Sequence, residues 1–168
     1  QGVSSAASDV YKRQAIGLVV QIPLGFYLVR QEFSDFRITI EEIHVLIGIV
    51  IFYITLLRLL FRLFFKSPDD PIEAFSGQMI IAKLNHFLLY LTLLTVTSSG
   101  ILKKLFNGEK LNFGITEIKL KTNFDYADLS YDVHIYSNYT LVALISLHIL
   151  AALLHTFVFK DNVIKRIT

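Results

Sequence analysis

The chain has 168 residues, 54% of them hydrophobic, with a mean hydropathy of +0.55 and a formal net charge of +2. That apolar excess over an ordinary soluble domain points to a membrane protein, and no basic run suggests nucleic acid. The absence of cysteine excludes disulfides, thiolate metal sites, iron–sulfur clusters and thiol catalysis. There is no Trp, so Tyr and Phe must supply any interfacial aromatic belt.

Residues 1–14, QGVSSAASDVYKRQ, are small and polar, without amphipathic period or the apolar centre of a signal peptide. They read as a foreign-looking or disordered segment, set apart from a membrane domain at 15–168. The first apolar run, Ala15–Val29, falls short of the roughly 20 residues a span needs. It reads as a helix whose beginning has been lost. The polar linker RQEFSDFRITIEE leads into a second span at about 41–65, with Arg58 and Arg62 near its far end, where long side chains snorkel. KSPDDPIEAFSG supplies a turn rich in breakers, and a third span follows at about 78–102. The mixed-charge stretch 103–132 is too long for a tight turn and is expected to cap one membrane face. A fourth span covers about 132–160. The expected fold is all-α, a four-helix transmembrane bundle with its first span at about 15–30. Basic residues divide evenly between the two sides, so the positive-inside rule leaves the orientation open.

All five histidines lie in the apolar spans, where ionisable groups are costly and usually functional. His134, His148 and His155 are spaced fourteen and seven residues apart, which keeps them within roughly 40° of one helical face. The first step amounts to about 21 Å along the axis. His44 and His134 each lie a few residues into spans that run in the same direction, so their rings should meet at one depth. Two imidazoles facing one another across a porphyrin are a familiar way to hold haem iron in a bundle. Gly48, one turn after His44, either allows close helix packing or opens room for a porphyrin edge. Arg58 repeats the fourteen-residue step on the second span. Arg58 and Arg62 are either interfacial anchors or partners of the propionates of a deeper haem. Depth alone nominates His86, on the antiparallel third span, as the partner of His148.

These pieces resemble the prokaryotic cytochrome b561 family, related to the cytochrome b subunits of nickel–iron hydrogenases and formate dehydrogenases. The resemblance is carried by I-H-V-L-I-G and R-L-L-F-R in the second span, K-L-N-H-F-L-L-Y in the third, and H-x13-H-I-L-A-A-L-L-H with F-K-D-N-V-I-K-R in the fourth. It implies an inner-membrane cytochrome with two haem b groups, both termini cytoplasmic, exchanging electrons with quinone. It further implies that His44 and His134 hold the outer haem iron, and that His148 pairs with a histidine near the start of the first helix. No histidine stands there, so two explanations compete: a truncated first helix, or substitution by His86. His86 and His155 otherwise remain as hydrogen-bonding residues or as proton carriers near a quinone. Some relatives oxidise superoxide, and the lysines between 103 and 121 either attract such an anion to the outer haem or are solvated loop charges. The alternatives are an anchor subunit for a docked dehydrogenase or hydrogenase, and a non-haem transporter or assembly factor using its intramembrane histidines.

Overall fold

The computed structural model describes residues 2–64, 77–114 and 116–158. The breaker-rich turn at 66–76 and the tail DNVIKRIT, with the basic residues counted there, lie outside these residues. Four helices, α1 (Gly2–Arg30), α2 (Asp35–Phe64), α3 (Gln78–Phe106) and α4 (Phe124–Phe157), form an all-α bundle. Two short antiparallel strands, β1 (Leu111–Asn112) and β2 (Glu117–Ile118), pair in the α3–α4 connection.

Three of the helix ends have a clear local cause. The Ser34 hydroxyl accepts from the Arg37 N–H at 3.2 Å and caps α2. The Asn123 side chain accepts from the Tyr126 N–H at 3.1 Å and caps α4. At the end of α3, Gly108 adopts φ 85°, its N–H bonding Leu105 O at 3.0 Å while Glu109 N–H bonds Lys104 O at 3.2 Å. A Cβ at Gly108 would also run into Thr122 Oγ1, so no larger residue fits.

Among the described residues, α2, α3 and α4 are long and apolar enough to cross a membrane. Large apolar side chains such as Val19, Leu46, Leu57, Phe61, Ile80 and Leu147 are exposed on the bundle exterior, as expected where lipid is the solvent. All four helices extend beyond the expected spans. Residues 2–14 are helical and continuous with the rest of α1. α2 begins at Asp35 and α3 runs on to Phe106. α4 begins at Phe124, eight residues ahead of the expected start at 132. Its 34 residues make a rod of about 51 Å, longer than the ~30 Å of hydrocarbon, so the polar first turns project beyond the apolar layer.

The helices alternate in direction. α1 runs antiparallel to α2, as shown by successive contacts Gln14–Arg58, Gly17–Ile51 and Gly25–His44. α3 and α4 pack along most of their length, through Gln78–His155, Asn85–His148 and Val96–His134. The core is a single apolar layer of Ile51, Leu93, Val96 and Leu141, with Leu18, Ile47, Leu89 and Ile145 packed against it. Ile51 lies seven residues from both His44 and Arg58, and Leu141 lies seven from both His134 and His148. The layer therefore separates two polar levels, each about 10 Å away along the axis.

Candidate functional site

The upper level joins His44 on α2 to His134 on α4. Their ring centroids are 6.3 Å apart, with planes at 79°. His134 Nδ1 lies 2.8 Å from the Val96 carbonyl oxygen. A carbonyl can only accept, so the proton sits on Nδ1 and the Nε2 lone pair is free to bind a metal. His44 Nδ1 is buried and, among the described residues, has no hydrogen-bond partner.

Both rings are seated against glycines on the two helices that carry neither histidine of this pair. A Cβ at Gly100 on α3 would stand 3.0 Å from both Cε1 and Nδ1 of His134. One at Gly25 on α1 would stand 3.2 Å from Cε1 of His44. All four helices thus shape this level, α2 and α4 with imidazoles and α1 and α3 with space. Neither glycine stands out in the sequence, where no local signal marks it. The space at Gly48 goes to the Gln21 amide, whose Nε2 is 3.4 Å from the position of a Cβ there, so close packing is the role that this glycine shows.

An iron held by two imidazoles at about 2.0 Å each places the ring centres roughly 6 Å apart. The His44–His134 pair meets that separation, with the tautomer of His134 already set and the glycine seats leaving no side chain between helix and ring. Among the described residues no three His, Asp or Glu side chains converge as a bare metal-ion site. Two neighbouring histidines suit haem iron, whose other four bonds come from the porphyrin.

The lower level is built differently. His86 and His148 are 5.3 Å apart at 55°, about an ångström closer than a shared iron requires. The Asn85 amide nitrogen lies 3.1 Å from His148 Nδ1. α1 contributes Gln14, only 2% exposed, whose oxygen accepts from Arg58 Nη1 and whose nitrogen donates to Thr55 Oγ1 at 2.7 Å. Arg58 and Arg62 lie over the Tyr90 ring, at 5.4 and 5.6 Å from its centroid. His155 sits one step further along, 2.9 Å from the Gln78 amide nitrogen.

Above the upper level, Glu41 on α2 gathers three cations: Lys104 at 2.9 Å, Lys103 at 3.4 Å and Arg37 at 3.5 Å. Lys104 also pairs with Glu109 at 2.6 Å, and Lys110 approaches Glu117 at 4.0 Å. Lys103, Lys104 and Lys110, of the lysines that the sequence leaves as either anion attractors or loop charges, are engaged with carboxylates.

Helices fit to cross a bilayer, with imidazoles paired between them, define a membrane protein of the cytochrome b kind. The chain matches the family described as prokaryotic cytochrome b561 over residues 14–168 and belongs to it. It is a membrane cytochrome of a family that binds haem b. It is 33% identical over 130 residues to a Yersinia pestis protein named probable superoxide oxidase CybB, covering 75% of this chain and 73% of that one. It is also 29% identical over 170 residues to cytochrome b561 homolog 2 of Escherichia coli K12, covering 98% of this chain and 89% of the relative.

Proposed function

We propose that the chain carries electrons between a donor at the outer face of the bacterial inner membrane and quinone, with His44 and His134 as the axial ligands of a haem b. The observation that carries this reading is the 6.3 Å separation of two imidazoles brought together from different helices, one held by a backbone carbonyl in the metal-binding tautomer. Bound haem supplies reversible one-electron chemistry at iron. The chain's own work is to hold two neutral imidazoles in place and keep water away. The hydrogen bond from His134 Nδ1 to Val96 O orients that ring and raises its basicity. The layer of Ile51, Leu93, Val96 and Leu141 seals the space beneath it.

A second haem at His148 belongs to the same proposal in weaker form, with Arg58 and Arg62 as partners for its propionates. The lower level lacks a second imidazole at the right separation, since His86 stands too near and α1 offers Gln14. Haem at this level is therefore expected to be substoichiometric. Both termini are placed on the cytoplasmic side, with the Glu41 cluster facing the periplasm. Superoxide is the candidate donor, on the strength of the Yersinia pestis relative's name.

The test is haem content and spectrum in single variants of the purified protein. His44→Ala and His134→Ala should each abolish the upper haem, while His155→Ala should retain it. Arg58→Ala should remove whatever second signal the unmodified protein shows. Full haem content in His134→Ala would contradict the ligand assignment, and an unchanged second signal in Arg58→Ala would contradict the propionate role.

A further inference from the structure

Gln21 lies on α1, a helix without histidine, yet its amide reaches the backbone of α2. Its Nε2 donates to the His44 carbonyl oxygen at 2.7 Å. Gly48, one turn beyond His44, opens this approach, since a Cβ there would lie 3.4 Å from that nitrogen. Gly25, one turn beyond Gln21, lets α1 close onto the ring: its missing Cβ would lie 3.2 Å from His44 Cε1 and 3.9 Å from Nδ1.

Two atoms in this knot are buried and, among the described residues, have no hydrogen-bond partner: Gln21 Oε1 and His44 Nδ1. They are chemically complementary. A carboxamide oxygen only accepts, and an imidazole that binds a metal through Nε2 carries its proton on Nδ1. Histidines that bind metals almost always donate this proton to an oxygen acceptor, which fixes the ring and raises its basicity. His134 has such an acceptor in Val96 O; His44 has none among the described residues, and the amide that bonds its backbone oxygen carries the unpartnered Gln21 Oε1.

We infer that Gln21 is the positioning residue of His44, its Oε1 accepting the Nδ1 proton in the haem-bound protein. This rests on the reading that His44 and His134 hold a haem. One amide would then act twice, fastening α1 to the α2 backbone through nitrogen and tuning an axial ligand through oxygen. A stronger acceptor makes the imidazole more basic, favours oxidised iron and lowers the midpoint potential.

The experiment uses the full chain loaded with haem, in unmodified, Gln21→Leu and Gln21→Glu forms. It reads the midpoint potential and the histidine ring bands of the redox-difference infrared spectrum. Gln21→Leu is expected to keep its haem, raise the potential and move one axial-ring band toward the position of a free Nδ1–H. Gln21→Glu should shift both readouts the opposite way. Leu cannot donate to the His44 carbonyl, and neither can Glu in its carboxylate form, so above the pH at which Glu ionises a pure helix tether would weaken both alike and leave the ring band unmoved; that result overturns the inference. Should Gln21→Leu fail to accumulate, the unmodified protein decides: hydrogen-bonded Nδ1 on both axial rings supports the inference, and a free Nδ1–H on one overturns it. A chain that binds no haem overturns this inference together with its parent, whereas haem with an unmoved band overturns this one alone.

Discussion

Gly100→Ala is the sharpest probe of how the upper site is made. Carbon atoms pack best at about 3.5–4.0 Å, whereas the new Cβ would stand 3.0 Å from two atoms of the His134 ring. The ring must retreat from α3 by about half an ångström or more, which stretches its 2.8 Å bond to Val96 O toward the limit of a useful hydrogen bond. Overpacking costs roughly 1–3 kcal/mol and a weakened hydrogen bond about 1 kcal/mol. Replacing a helix-interior glycine returns up to about 1 kcal/mol. The net expectation is a loss of roughly 1–3 kcal/mol in stability, with a 10–100-fold loss in haem affinity when an outer partner of a metal-binding histidine is disturbed. Gly17→Ala is the control, because its Cβ would make an ordinary contact at 3.6 Å with Ile51 and keep only the helix gain. Haem titration into the apoprotein, with thermal unfolding in detergent, reads both quantities. A Gly100→Ala protein as tight for haem and as stable as Gly17→Ala would refute the steric reasoning.

Three further outcomes follow from the same geometry. Thr55→Val removes the acceptor of the Gln14 amide at a position with no exposure, and should lower thermal stability by about 0.5–2 kcal/mol while leaving the upper haem spectrum unchanged. Leu141→Ala empties part of the layer between the two levels and should cost roughly 2–5 kcal/mol by denaturant or thermal unfolding. Glu41→Gln releases Lys103 and Lys104 from their shared carboxylate; with superoxide as donor, stopped-flow reduction should speed up several-fold at low salt, and the gain should vanish at high salt.

The histidine levels are legible in the amino-acid sequence alone. The fourteen-residue step from His134 to His148 and the matched depth of His44 are properties of single helices, and helical period carries them. The His44–His134 meeting follows once two spans run in the same direction. The helix ends are less legible, because hydropathy marks where lipid begins rather than where hydrogen bonding stops: Asn123 caps α4 well outside its apolar run. The seats of the histidines are not legible at all. Gly25, Gly100 and Gln21 matter only through the rotational setting of one helix against another, which periodicity within a helix does not encode. Gly48 shows the same limit, since its open side faces Gln21. Gln14 ends a segment that composition sets apart from the membrane domain, yet it is buried against Thr55 and Arg58.

The central claim is that His44 and His134 jointly hold a haem iron, and a reduced-minus-oxidised spectrum of the purified protein beside its His134→Ala variant tests it most directly. The account predicts a b-type α-band in the unmodified protein and its loss in the variant. An unmodified protein without that band, or a variant that keeps it at full strength, would contradict the account.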